Sequence, residues 1–182
     1  RVVALSRGAL VKVVCADDEG SRRIGSRHTG SHRDVVTYGM SEAAMVRAVD
    51  VRPDRGSYTF GVVRDGKRLV DVRLPLRGEH NVVNATGALA MALELGVEPQ
   101  VAADALAKFG GVARRFDIRG IDGGATFVDD YAHLPTEIDA VLRAAKGSGD
   151  GWERVVAVFQ PNRYNRMAEM WQEYADAFAA AD

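Results

Sequence analysis

The hydrophobic period changes at Pro75, and that change confines the chain to folds that mix sheet with helix. Before it, Tyr58 to Val63 and Leu69 to Leu74 alternate around Asp65-Gly66, the pattern of two strands joined by a tight hairpin. After it, His80 to Leu95 carries Val82, Val83, Ala85, Leu89, Ala92, Leu93 and Leu95 at helical spacing, with Gly96 where a C-cap belongs. Val101 to Phe109 repeats the helical pattern behind Pro99.

Gly110-Gly111 then interrupts the chain, and strand patterns restart. Phe116 to Ile121 and Ala125 to Asp129 flank Asp122-Gly123-Gly124, a second hairpin signal. Pro135 opens a helix that runs through Ile138, Val141, Leu142 and Ala145 to Gly147. Val155 to Phe159 is apolar without alternation, the signature of a strand covered on both faces in a parallel sheet. Met167 to Ala181 reads as a final amphipathic helix. From Phe127 onward the order is therefore βαβα, which predicts an α/β second half. Nearer the start, Val11 to Ala16 and Asp34 to Tyr38 are short strands, separated by a polar, glycine-containing stretch from Glu19 to Arg33 expected to be loop.

Composition narrows the function classes. Lys and Arg number 24 against 25 Asp and Glu, so no basic excess points to nucleic acid, and aromatics at 7% are too sparse for base-stacking platforms. Apolar runs are far shorter than the ~18 residues of a membrane span, so neither a nucleic acid nor a membrane is expected as partner. The single cysteine, Cys15, rules out an internal disulfide framework and fits a reducing, cytoplasmic setting. A start at Arg1 and a stop inside the apolar run Ala179-Ala180-Ala181-Asp182 are the expected marks of cut ends.

Two motif-like runs carry no chemistry. Gly61-Val62-Val63-Arg64-Asp65-Gly66-Lys67-Arg68 imitates a phosphate loop but ends in Arg where a magnesium-binding hydroxyl belongs, and it crosses a hairpin. His28 and His32 have zinc-ligand spacing, but no Cys pair precedes them and Gly30 between them favours a solvated loop. No metal-ligand set is assigned to the chain.

Four clusters remain. His80-Asn81-Val82-Val83-Asn84 opens a helix, where an Asn side chain either caps the helix or reads a base edge with its paired donor and acceptor. Arg114-Arg115-Phe116-Asp117 follows the double glycine, and a guanidinium there suits a phosphate or pairs with a surface acid. Asp129-Asp130-Tyr131-Ala132-His133-Leu134-Pro135-Thr136-Glu137 leads from a strand end into a helix, where α/β sheets hold ligands. Phe159-Gln160-Pro161-Asn162-Arg163-Tyr164-Asn165-Arg166 sets two arginines on one face of a following helical turn.

These four lines, the first extended as Gly78-Glu79-His80-Asn81-Val82-Val83-Asn84-Ala85 and the second as Gly111 to Asp117, resemble the Mur ligases, which build the peptidoglycan precursor peptide. The last two lines are similar to the branch that adds L-alanine. The resemblance implies the end of a central ATPase α/β domain, residues 1–112, followed by the start of a Rossmann-like C-terminal domain, residues 113–182. It further implies ATP and Mg2+ as cofactors and UDP-N-acetylmuramate and L-alanine as substrates. Asn84, with His80 and Asn81, would contact adenine. Arg115 would reach the ATP phosphates, and Asp130 would bind the ribose. Tyr131, His133, Arg163 and Arg166 would line the place where nucleotide, L-alanine and the muramyl carboxylate converge, His133 serving as proton acceptor.

Leu134 and Asn162 stand where the family pattern usually has His, and Asn162 cannot titrate. No complete phosphate loop is present, and the resemblance implies magnesium ligands upstream of Arg1. The 182 residues by themselves are therefore expected neither to hydrolyse ATP nor to ligate. Two alternatives stay open at this point: a sibling ligase that recycles murein tripeptide, and a non-catalytic nucleotide-binding module.

Overall fold

The computed structural model describes residues 11–26 and 35–182; His28 and His32 lie outside the described residues. The fold is mixed α/β, and its described residues divide into two compact units. The first holds the described residues up to Arg52, Tyr58–Leu74 and His80–Phe109; the second holds Pro53–Ser57, Pro75–Glu79 and Gly110–Asp182.

Strands β1 (Lys12–Cys15), β2 (Val35–Gly39), β3 (Val46–Asp54), β4 (Ser57–Arg64) and β5 (Lys67–Leu74) form one sheet in that order, all but Pro53, Asp54 and Ser57 falling in the first unit. β1 pairs β2 in parallel, with Val13 opposite Val36, and β2 pairs β3 in parallel. β4 and β5 form the expected antiparallel hairpin, with Phe60 opposite Val72. Asp65 and Gly66 at its tip have φ of 51° and 74°, the left-handed pair that a two-residue turn requires. The phosphate-loop imitation is thus a hairpin. On β5, Val70, Val72 and Leu74 are buried while Lys67, Arg68, Asp71 and Arg73 face solvent, the period of two seen in the sequence.

Helices α2 (Glu79–Glu94) and α3 (Pro99–Ala107) follow, α3 packing against β5. The buried stripe of α2 is Val82, Ala85, Thr86, Leu89 and Ala90, spaced at three and four residues, so one face enters the core. Leu89 is 1% exposed. Leu89→Ala is expected to cost roughly 2–5 kcal/mol through lost burial and a residual cavity, measured by urea unfolding; a loss under about 1 kcal/mol would show that the site collapses.

Two elements here depart from the sequence reading. Part of the stretch taken as loop is helix α1 (Glu19–Ser26). Asp18 starts it, its Oδ1 accepting the Ser21 amide at 2.6 Å. Gly25, which disguised the helix, is buried where a Cβ would stand 3.2 Å from Val14 Cγ2, so the glycine lets helix and strand approach closely. β3 was not anticipated at all. Val46 and Ala48 alternate inward, but Asp50 takes φ 54° and Pro53 follows, so the pattern decays within the strand.

The second unit contains a separate antiparallel pair, β6 (Asp117–Asp122) and β7 (Ala125–Asp129), then helices α4 (Pro135–Lys146), α5 (Tyr164–Glu169) and α6 (Trp171–Asp176). The parallel strand expected at Val155–Phe159 does not form. Among the described residues this segment pairs with no strand. Val155, Ala157 and Phe159 pack on the core of Ile138, Leu142, Tyr174 and Ala177, whereas Val158 is 97% exposed. An apolar run without polar positions hides an alternation that only packing imposes. The long final helix is likewise two short ones, broken at Met170, which adopts φ −123° and ψ 24°.

Candidate functional site

The second unit gathers its chemistry around Asp130, at the end of β7. The Asp130 carboxylate accepts the Phe116 amide at 2.8 Å through Oδ2 and the Ala132 amide at 2.7 Å through Oδ1. It therefore clamps the segment after the double glycine to the loop after β7. The Tyr131 amide donates to the Arg114 carbonyl at 2.8 Å, closing the same junction. Arg114 and Phe116 have φ of 60° and 49°, left-handed conformations costly for side-chain-bearing residues and tolerated when the surroundings fix them.

The clamp aims two guanidiniums. Arg114 lies with its guanidinium carbon 5.0 Å from the Tyr131 ring centre and its Nε 3.4 Å from Asp129. Arg115 stands 3.8 Å from Asp130 Oδ1 and 3.6 Å from Glu137 Oε1. Its side chain remains about half exposed, at 47%, so much of its donor fork still faces solvent. Arg115 also lines a groove with Gly110, Gly111, Phe116 and Arg77. In that groove Arg77 is held by Asp150 at 2.8 and 3.2 Å and lies over the Phe116 and Trp152 rings. The Arg77 guanidinium keeps the Asp150 carboxyl below the usual carboxylate range against its partial burial.

Beyond Tyr131 the chain turns into α4. Glu137, the third residue of that helix, accepts the His133 amide at 2.9 Å and the Leu134 amide at 3.1 Å on Oε2. Burial works to raise the Glu137 pKa, but these two amides, with the Arg115 guanidinium nearby, outweigh it and hold the carboxyl below its ordinary value. His133 Nδ1 sits 2.9 Å from the Tyr131 carbonyl and 3.3 Å from Glu137 Oε2. The His133 carbonyl accepts the hydroxyl of buried Tyr174 at 2.6 Å.

Arg115, Asp130, Tyr131 and His133 thus come together as one cluster, with Glu137 and Tyr174 as members the sequence reading gave no role. Glu137 carried a signal, being an acid at the third position of a helix opened by Pro135; Tyr174, 41 residues from His133, carried none. Arg163 precedes α5 with φ 69° and its carbonyl accepts the Met167 amide at 3.3 Å, while Arg166 lies within the helix. Neither arginine makes an ion pair among the described residues. His80, Asn81 and Asn84 belong to the first unit, on the opening turns of α2, with His80 and Asn84 exposed. Among the described residues no group of three or more His, Cys, Asp or Glu is placed to hold a metal ion.

Two family models match this chain: the Mur ligase middle domain over residues 3–92, and the Mur ligase glutamate ligase domain over residues 114–182. The chain belongs to the Mur ligase family. It is 44% identical over 178 residues to a protein of Kineococcus radiotolerans named UDP-N-acetylmuramate–L-alanine ligase, a match taking in 98% of this chain and 37% of the relative. It is 49% identical over 156 residues to the protein of that name from Methylobacterium nodulans, covering 82% of this chain and 33% of the relative. The crystal structure of UDP-N-acetylmuramate-alanine ligase from Thermotoga maritima superposes with a TM-score of 0.74 at 31% identity, over 94% of this chain and 36% of that one. MurF from Acinetobacter baumannii shares the fold at TM-score 0.75 and 24% identity, over 92% of this chain and 35% of that one. The chain spans about a third of the length of the curated relatives it matches. No helix among the described residues is long and apolar enough to cross a membrane.

Proposed function

We propose that these residues serve an ATP-dependent, cytoplasmic ligase that joins L-alanine to the lactyl carboxylate of UDP-N-acetylmuramate. Residues 1–112 would be the later part of its central ATP-binding domain and residues 113–182 the first part of its amino-acid-binding domain. The observation that carries the reading is the cluster of Arg115, Asp130, Tyr131 and His133, clamped at the start of the second unit. The names of the relatives and the two matched family models support it.

When bound, ATP supplies the phosphoryl group that turns the carboxylate into an acyl phosphate, which the amine of L-alanine attacks. Phosphoryl transfer asks a protein mainly for positioning and charge neutralisation, and Arg115 offers a half-exposed fork for that purpose. Beyond its two amide contacts and the Arg115 guanidinium facing Oδ1, Asp130 keeps a lone pair on Oδ2 that would accept a ribose hydroxyl. His80, Asn81 and Asn84 lie in the opening turns of one helix, and their polar groups would contact an adenine edge. His133 would take the proton of the attacking amine, while Arg163 and Arg166 would hold carboxylate or phosphate oxygens. Magnesium, on this reading, draws its ligands from outside the described residues.

The test is a ligation assay with the full-length ligase, ATP, UDP-N-acetylmuramate and L-alanine. ADP, phosphate and the alanyl conjugate should form in equal amounts, with glycine and L-serine poorer substrates. Turnover of murein tripeptide in place of L-alanine would assign the recycling reaction instead.

A further inference from the structure

The two groups that meet His133 Nδ1 are both pure acceptors. A backbone carbonyl has no proton to give, and Glu137, whose carboxyl is held ionised by two amides, has none either. A bare lone pair on Nδ1 would face two oxygens at 2.9 and 3.3 Å, which is repulsive. Which ring nitrogen of a histidine keeps its proton is set by the partner of the other.

We propose that Glu137 is a positioning residue: with the Tyr131 carbonyl it keeps the proton on Nδ1 of neutral His133, so that Nε2 is the only nitrogen able to accept one. The same carboxylate reaches Arg115 through its other oxygen at 3.6 Å. Glu137 therefore ties the imidazole and the phosphate-directed guanidinium to one rigid helix turn. Tyr174, donating to the His133 carbonyl from α6, fixes the peptide that carries the ring. That Nε2 receives the proton of the amine rests on the ligase reading above; the tautomer does not.

Two-bond nitrogen–proton spectra of the 15N-labelled chain at a pH where the imidazoles are neutral test it. The chain has four histidines, and His133→Gln assigns the relevant signal. The expected result is a pyrrole-type Nδ1 and a pyridine-type Nε2 for His133, with Glu137→Ala shifting the signals toward a mixture of both tautomers. Glu137→Gln, whose side-chain oxygen can still accept the two amides, separates loss of charge from loss of the helix start. A wild-type His133 protonated on Nε2 overturns the proposal whatever the variants do. A Glu137→Ala chain whose His133 stays wholly in the Nδ1–H form overturns the role of Glu137 and leaves the carbonyl alone responsible. In the full-length ligase, Glu137→Ala should lower kcat at least ~10-fold, with a smaller change in KM for L-alanine. If the spectra agree but no L-alanine is ligated, the ligase reading fails and the tautomer assignment stands.

Discussion

Arg115→Ala in the full-length ligase should lower turnover by at least ~100-fold, the scale of one lost transition-state contact. The guanidinium is held by Asp130 at 3.8 Å and Glu137 at 3.6 Å, distances that orient it without filling its fork. Arg115 also lines the groove that holds Gly110, Gly111, Phe116 and Arg77. On the proposed reading a point charge at this place would not be enough, because a planar fork can grip two oxygens of one phosphate group and an ammonium cannot. Arg115→Lys should therefore recover only a minor part of the loss. The measurement is steady-state ADP release at saturating L-alanine and UDP-N-acetylmuramate, with unfolding monitored in parallel. Because Arg115 is half exposed and its ion pairs are long, stability should move by less than ~1 kcal/mol. Wild-type turnover in Arg115→Ala would place the phosphate contact elsewhere.

Local patterning made most of the fold legible. The β4–β5 hairpin, the buried stripe of α2 and the helix opened at Pro135 all emerged where two adjacent cues agreed: a period and a turn or cap. Where cues conflicted, the reading failed. Gly20 and Gly25 masked α1 although Asp18 caps it, and Pro53 masked β3. Val155 to Phe159 misled for a different reason. Its residues are all apolar, so nothing in the sequence distinguishes Val158 in water from Phe159 on the core. Of the candidate residues named from the sequence, the structure brings Arg115, Asp130, Tyr131 and His133 together. What remained hidden was the frame. Backbone amides leave no mark in a sequence, so neither the clamp at Asp130 nor the reach of Tyr174 to the His133 carbonyl was visible there.

That frame sets the expected behaviour of Asp130. A residue that only touched the ribose would, when changed, raise KM for ATP and leave kcat alone. Asp130 also holds the amides of Phe116 and Ala132, and its side chain is just 11% exposed, so removing it releases the turn that aims Arg115. Leaving partly buried amides unpaired costs about 1–3 kcal/mol. Asp130→Ala should accordingly raise KM for ATP and also lower kcat, each by roughly 10-fold or more. The sharper variant is Asp130→Asn. Its oxygen satisfies one of the two amides, but its NH2 then points at the other amide, donor against donor. This near-isosteric change should consequently be almost as damaging as Asp130→Ala in kcat. Initial rates across an ATP series, run on all three proteins, separate the two roles. An Asp130→Asn enzyme with unchanged kcat and a raised KM would reduce Asp130 to a nucleotide contact and leave the left-handed turn at Arg114 and Phe116 to be held by the Tyr131 amide alone.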